Sequence, residues 1–233
     1  MSETMKTIGL IGGMSWESSA HYYRILNEET GRRRGGLHSA PVILHSVDFA
    51  PIAQMQAAGE WQAAGHQLNA VARNLAAAGA QVLGLATNTM HVVDDIMLEG
   101  VDLPFVHIAD PTAEALLADG FDTVGLLGTR FTMEMDFYKQ RLTSHGLTTL
   151  VPEVDHTNLN GIIYEELCKG IVRDESRRVF QAAIDRMAAR GAQAVILGCT
   201  EIGMLIDDSS SALPTYDTTD LHARALVSAA LAS

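Results

Sequence analysis

An internal repeat is the feature that most constrains the fold of this chain. The segment Thr7–Leu26 aligns without a gap on Thr123–Leu142, a shift of 116 positions. A second pair follows, AAAGAQVLGLATNT and AARGAQAVILGCTE, in which Thr87 stands opposite Cys199. Each copy is long enough to hold its own hydrophobic core, so we expect two similar lobes facing each other across a cleft.

Within each copy, short apolar runs alternate with stretches of helical spacing. Strands are predicted in KTIGLIG, PVILHSVDF, AQVLGLATN and LPFVHIA, and again in TVGLLGT, TTLVPE, AQAVILGCT and ALPTYDT. Helices are predicted over Trp61–Ala78 and Arg177–Arg190, and from Asp110 and Asp220 onward. This alternation is typical of an α/β fold with parallel sheets covered on both faces. The predicted lobes are residues 1–109 with 217–233, and residues 110–216.

Charge and composition limit the kinds of partner and site that can be expected. A net charge of −12 repels phosphate backbones and anionic lipid, so neither nucleic acid nor a membrane surface is expected. The start, MSETMKTIGL, has no long apolar stretch, and no run approaches the ~18 apolar residues of a membrane span, so we expect a cytoplasmic protein. Two cysteines make a disulfide scaffold improbable, and the nine histidines lack metal-ligand spacing, so no metal is expected.

Cys199 is the strongest candidate for chemistry. It ends a predicted strand, where ligand crevices open in α/β sheets, and polar residues Thr200 and Glu201 follow it. A helix beginning just after this turn would favour the reactive thiolate. Cys168 falls inside a predicted helix with apolar neighbours, which favours a core or supporting place.

Polar side chains follow other strand ends as well. Thr87, Asn88 and Thr89 close a strand of the first copy, and Thr129 and Thr132 follow the first strand of the second. Such groups can hold a carboxylate, and helix capping by the two later threonines is compatible with that, because a capped helix start also binds anions. The turn GLIGGM lacks the G-x-G-x-x-G spacing and suits a small carboxylate better than a pyrophosphate.

These motifs together resemble the aspartate/glutamate racemase family, most closely its bacterial L-aspartate/glutamate or broad-specificity amino-acid racemases. The resemblance rests on IGLIGGMSWESS, HSVDF, ATNTMH, LGTRFTMEMDFY, IYEELCKG, GCTEI and PTYDTTDLHA, and it spans almost the whole chain. It implies two pseudo-symmetric Rossmann-like lobes, a site between them, and cofactor-independent catalysis by two cysteines on opposite faces of the α-carbon. We also expect a homodimer.

The chain departs from the family in its catalytic pair and in the residues that recognise the distal carboxylate. Thr87 occupies the place of the first cysteine, so the resemblance supplies one catalytic cysteine, Cys199, and Thr87 as its weak partner. Members strict for aspartate hold the distal carboxylate with an arginine after the second strand and a lysine in the second lobe; here FAPIA (residues 49–53) stands in the arginine region and Cys168, followed by Lys169, at the lysine position. Neutral amino acids therefore remain open as substrates.

The resulting hypothesis is a racemase of amino acids, aspartate or glutamate first, that needs no cofactor. The α-carboxylate would be held by backbone amides near Met14 and Ser15 and by the side chains of Asn88, Thr89, Thr129, Thr132 and Thr200. Three alternatives stay open: a racemase of neutral amino acids, a one-cysteine relative resembling arylmalonate decarboxylases, and an idle amino-acid-binding protein. His91 is a further candidate for the second acid or base, with a core role as its ordinary explanation.

Overall fold

The structure, a computed structural model, describes residues 4–232. It divides into two units. The first lobe runs up to His107 and resumes at His222, and the second lobe is Ile108–Leu221.

The first lobe is built on a four-stranded parallel sheet of order β2-β1-β3-β4. Its strands are β1 (Ile8–Gly12), β2 (Val42–Ser46), β3 (Val82–Leu85) and β4 (Phe105–Val106). Its helices are α1 (Trp16–Arg34), α2 (Phe49–Ala58), α3 (Trp61–Ala77) and α4 (Asp94–Met97), with a 3₁₀ turn at Thr89–Val93.

The second lobe has the same strand order, β6-β5-β7-β8, again all parallel. Its strands are β5 (Thr123–Gly128), β6 (Thr148–Leu150), β7 (Ala194–Gly198) and β8 (Thr215–Asp217). Its helices are α5 (Ala109–Ala118), α6 (Arg130–Glu134), α7 (Asp136–Ser144), α8 (His156–Glu165) and α9 (Asp174–Ala189). The last helix, α10 (Thr218–Leu231), begins in the second lobe, and its residues from His222 on belong to the first.

Each sheet is covered on both faces by apolar side chains. In β1, Ile8 and Leu10 pack in one buried cluster with residues of α1 and α10, whereas Ile11 packs in another with residues of α3. Successive side chains of a strand point to opposite faces, so a continuous apolar run is what a sheet buried on both sides requires. The predicted fold class, two α/β lobes with parallel sheets, is confirmed.

Matching hydrogen bonds mark the two lobes as copies of one unit. In the first lobe, the backbone N–H of Gln81 donates to the Thr7 carbonyl (2.8 Å), and the Thr7 N–H donates to the Gln81 side chain (3.0 Å). In the second lobe, Gln193 makes the same two bonds with Thr123, at 2.8 and 3.1 Å. These are the residues that the sequence repeat aligns, so the repeat in sequence is also a repeat in hydrogen bonding.

Several elements differ in extent from the sequence prediction. The second predicted strand, PVILHSVDF, ends at Ser46, because the Asp48 carboxylate accepts the Ala50 N–H (3.2 Å) and caps α2. The helix predicted around Cys168 is wrong at that residue. Helix α8 ends at Glu165, and Cys168 lies in a 3₁₀ turn, Leu167–Lys169, that Gly170 closes with a left-handed φ of 71°.

Candidate active site

Two glycines bring the strand ends of the second lobe close together. Gly128 ends β5, Gly198 ends β7, and the two residues are paired in the sheet. A Cβ on Gly198 would lie 2.7 Å from the Leu127 carbonyl oxygen, and one on Gly128 would lie 3.0 Å from the Thr132 Cβ. The turn that carries Cys199 therefore approaches the segment of Thr129 and Thr132 more closely than larger residues would allow.

Cys199 follows β7 directly and is hydrogen-bonded to a buried carboxylate. Its Sγ lies 3.0 Å from Glu201 Oε2 and donates to it. The Thr200 hydroxyl donates to the same oxygen at 2.7 Å. All three residues are buried, Glu201 with 2% of its surface exposed. A thiol is thus hydrogen-bonded to a buried carboxylate at the carboxyl end of β7.

The resting form of Cys199 is the neutral thiol. Burial raises its pKa well above the ordinary value, and the Glu201 charge raises it further. The helix start that was expected to favour the thiolate is absent from this turn, because only a three-residue 3₁₀ segment, Ile202–Met204, follows it. The condition under which a thiolate was expected to be favoured, a helix starting at this turn, is therefore not met, and the thiolate has to be generated by loss of the proton to a nearby base.

Cys168 and Tyr164 lie near enough to the same carboxylate to be affected by its charge. Cys168 packs against the apolar cluster that contains Cys199, and its thiol is hydrogen-bonded to Glu201. Burial and then Glu201 raise the pKa of the Cys168 thiol. Burial, followed by Cys199, Cys168 and Glu201, raises the pKa of the Tyr164 hydroxyl. The supporting place predicted for Cys168 is thus a specific one beside Glu201.

Thr129 and Thr132 form the start of α6. The Thr129 hydroxyl accepts the Thr132 N–H at 3.3 Å, and the two hydroxyl oxygens lie 3.2 Å apart. Both residues are buried. The two threonines therefore cap α6, as the sequence suggested. That they also bind the substrate carboxylate stays a prediction.

In the first lobe, Met14 and Ser15 connect β1 to α1. Both residues are buried, and the peptide bond between them is cis. The Ser15 hydroxyl caps α1 by accepting the Ser18 N–H at 3.2 Å. The Gly13 N–H next to them donates to the Ser19 hydroxyl at 2.7 Å.

Thr87, Asn88 and Thr89 follow β3, which pairs directly with β1. They therefore lie at the same edge of the first sheet as Met14 and Ser15, and all five are buried. The Thr87 carbonyl accepts a hydrogen bond from His91 Nδ1 at 2.8 Å. The predicted site residues fall into two groups, one at the carboxyl edge of each sheet, with Thr87 and Cys199 at equivalent positions.

The described residues contain neither a metal-binding cluster nor a membrane-spanning helix. Over residues 4–232, no group of three His, Cys, Asp or Glu side chains is arranged to hold a metal ion. Within the same range, none of the helices is both long and apolar enough to span a membrane.

Comparison with known proteins gives the family. A sequence profile of the Asp/Glu/Hydantoin racemase family matches residues 11–226, almost the whole chain. The chain belongs to this family. It is accordingly an amino-acid racemase, an isomerase, and the resemblance noted from its motifs is confirmed.

Its similarity to solved structures extends over the full fold. A proposed Asp/Glu racemase from Yersinia pestis is 48% identical, with a TM-score of 0.90 and coverage of 98% of this chain and 100% of that one. An aspartate racemase homologue from Pyrococcus horikoshii OT3 is 33% identical, with a TM-score of 0.82 and coverage of 97% and 99%. The broad-specificity amino-acid racemase RacX of Bacillus subtilis is 24% identical over 157 residues, 66% of either chain.

Sequence reasoning missed Glu201 as a site residue. Its signal was present, because the carboxylate stands two positions after Cys199 in GCTE. Whether it turns toward the sulfur depends on the tight turn after β7, which the sequence pattern does not specify. Tyr164 gave no signal at all, since it reads as one more apolar position of a helix.

Proposed function

We propose that this racemase interconverts the enantiomers of aspartate and glutamate without a cofactor, using the sulfur of Cys199 as an acid and base. The observation that carries the proposal is the hydrogen bond from the Cys199 thiol to the buried Glu201 carboxylate. The names of the Yersinia and Pyrococcus relatives support the choice of substrate. The homodimer and the cytoplasmic location expected from the sequence remain predictions.

The first step is transfer of the Cys199 proton to Glu201. The S–H bond breaks, the proton joins Oε2 across the 3.0 Å contact, and a thiolate and a neutral carboxyl group result. The thiolate then removes the α-proton, and the bond electrons remain on the α-carbon as a carbanion. Because the thiol and the carboxylate are both buried, the transfer takes place where water does not compete for the proton.

The carbanion needs groups already in place to stabilise its charge. An amino-acid α-proton is very weakly acidic, so fixed donors must supply most of the stabilisation. We assign the substrate carboxylate to the hydroxyl and amide groups of the two strand edges. These are the backbone near Met14 and Ser15 and the side chains of Asn88, Thr89, Thr129, Thr132 and Thr200.

Thr87 is proposed as the acid–base group for the opposite face of the α-carbon. It stands at the position equivalent to Cys199 and is buried, with 8% of its surface exposed. In the second step the Thr87 O–H bond breaks and its proton joins the α-carbon from the opposite face; the alkoxide then takes a proton from solvent, and Glu201 returns its proton to solvent. A hydroxyl is a far weaker acid than a thiol, so this side should be the slower one. Racemisation through it would be asymmetric in its steps, although the equilibrium between enantiomers is not affected.

The contacts of the site determine the side chain of the substrate less closely than its α-carbon chemistry. Cys168 lies beside the Glu201 carboxylate at the position where the family resemblance places a lysine, so the lysine contact to a distal carboxylate is replaced by a thiol. The name of the RacX relative favours neutral amino acids as the second candidate. A panel of acidic and neutral amino acids decides between them.

The test is α-proton exchange in deuterated water, followed by NMR for each enantiomer of the panel, with an arylmalonate in parallel. Cys199→Ser should abolish exchange while the fold is kept. Glu201→Gln should lower kcat about 10²- to 10⁴-fold, the range of general acid–base assistance. Glu165→Gln removes an exposed carboxylate of the same lobe and should change little.

Four outcomes would contradict the proposal, the last of them only its first step. Undiminished exchange in Cys199→Ser would remove Cys199 as the base. Binding of amino acids without any exchange would indicate a binding protein, and release of carbon dioxide from the malonate alone would indicate a decarboxylase. Parent-like activity in Glu201→Gln would leave Cys199 in place but assign its proton to another acceptor.

A further inference from the structure

Three buried histidines of the first lobe lie together next to the segment Thr87–Thr89. The ring centroids of His91 and His107 are 4.4 Å apart, and those of His91 and His222 are 6.2 Å apart. All three are buried, with at most 6% of their surface exposed. Sequence positions 91, 107 and 222 are far apart, so only the fold brings these rings together.

The contact of His91 with Thr87 fixes which ring nitrogen carries its proton. Nδ1 lies 2.8 Å from the Thr87 carbonyl oxygen, and a carbonyl can only accept, so Nδ1 is the donor. Burial, and then the neighbouring His107 and His222, lower the pKa of His91 well below its ordinary value. The ring is therefore neutral, with its proton on Nδ1.

The ring of His222 is fixed in a similar way. Its Nε2 donates to the Val106 carbonyl at 2.8 Å, so its Nδ1 accepts the hydroxyl of Tyr22, also at 2.8 Å. Tyr22 is fully buried in α1 and meets the ring edge-on, at 83°. Both ring nitrogens of His222 are thus hydrogen-bonded, so its ring packs beside His91 in a fixed orientation.

His91 also adjoins His107, whose Nε2 is 3.7 Å from an Asp94 carboxylate oxygen. Phe105 lies 5.6 Å from His91 between ring centroids. The imidazole is thus enclosed by ring systems, and its placement is set by packing as well as by the hydrogen bond to Thr87. Such enclosure leaves a side chain little freedom to swing toward a substrate.

We propose that His91 is a positioning residue, which holds the segment Thr87–Thr89 in place through the Thr87 carbonyl and does not itself exchange protons with the substrate. The inference rests on the proposed function, because it assigns His91 a part in the Thr87 side of the reaction. On this assignment His91 is not the second base that its sequence position also allowed. A buried carbonyl requires a donor, and His91 supplies it at the residue whose side chain is to act.

Two substitutions of His91 test whether the position of the hydrogen-bond donor matters or only the presence of a polar group. The side-chain amide nitrogen of His91→Asn falls near the place of Nδ1, whereas that of His91→Gln falls near Nε2. We define the Thr87-dependent exchange as the part of α-proton exchange that Thr87→Val removes. His91→Gln should lower it about tenfold to a hundredfold, the loss expected from a misplacement of about 1 Å, and His91→Asn should keep it within about threefold.

The Cys199-dependent exchange from the opposite enantiomer should stay within about twofold of the parent in both variants, as it should in the exposed control His66→Gln. Equal losses on both faces would indicate a general structural role and overturn the proposal. Identical behaviour of the Asn and Gln variants would also overturn it, as would full exchange in Thr87→Val.

A second measurement is independent of activity. Nitrogen-15 NMR of the imidazoles in the parent protein should show the Nδ1–H form of His91 at neutral pH, and the Nε2–H form would refute the contact with Thr87. If instead the tautomer is as expected and no amino acid exchanges its α-proton in the parent chain, the proposed function fails while the contact stands.

Discussion

Glu29 allows a stability effect to be worked out from the structure. Its carboxylate has 2% of its side-chain surface exposed and pairs with Arg32 and Arg33 of the same helix, at 2.7 and 2.5 Å, and with Arg224 of α10 at 2.9 Å. The hydrogen bond from Arg32 is the largest cause that lowers the pKa of Glu29 from 4.5 to about 2. We predict that Glu29→Gln destabilises the protein in a pH-dependent way.

The size of the effect follows from the pKa difference. Lowering the pKa of Glu29 from 4.5 to about 2 corresponds to roughly 3.4 kcal/mol as an upper limit, and the partly exposed guanidinium groups reduce the contribution to about 2 kcal/mol. The carboxyl pKa is lowered by folding, so its contribution is fully present above about 4.5. It is lost as the pH falls from there toward 2.

The assay is thermal unfolding, followed by circular dichroism, of the parent, Glu29→Gln and the control Glu28→Gln over a pH series from 7 to 3. Glu28 is exposed and adjacent in the same helix, so its variant has the same change in net charge. At pH 7 we expect a melting temperature lower by about 4–8 °C for Glu29→Gln. A loss no larger than that of the control, or one that stays constant down to pH 3, would refute the reasoning.

Three further predictions concern the site. Cys168→Ala should retain measurable turnover and lose about 1 kcal/mol of unfolding free energy, as measured by kinetics and urea unfolding, and an inactive folded variant would contradict a supporting role. In the parent, α-proton exchange should be faster from the enantiomer that Cys199 deprotonates, and Thr87→Cys should reduce this asymmetry; equal initial rates in the parent would contradict it. Gly198→Ala should lose activity and about 1–3 kcal/mol of stability because of its clash with backbone, whereas Gly161→Ala, with open space around its Cα, should not; equal melting temperatures would contradict this.

The sequence predicted the fold and the order of its strands well because both depend on local patterns, although several predicted strands extend beyond the observed ones. The apolar runs, the glycine after α3 and α9, and the repeat itself appear in the chain as short-range signals. Gly79 and Gly191 illustrate this, since they end equivalent helices with φ of 97° and 100°. The repeat also predicted that Thr87 and Cys199 would occupy equivalent positions.

The contacts that decide the chemistry could not be predicted from the sequence. The direction of the Glu201 side chain depends on the turn after β7, and the protonated state of Cys199 follows from that direction and from burial. His91 meets His222 only after the last helix has returned to the first lobe, across 131 positions of chain. Such contacts depend on tertiary packing, and no periodicity in the sequence encodes them.

The return of the chain to the first lobe at His222 has a consequence for synthesis on the ribosome. Residues of the second lobe are contiguous, so they can pair all four of its strands as soon as they have emerged. The first lobe must wait, because Leu226 fills the space over Gly84 and the Ala230 carbonyl accepts the Lys6 N–H at 2.8 Å. The segment that is made first is therefore the one whose core closes last, which reverses the usual order of vectorial folding.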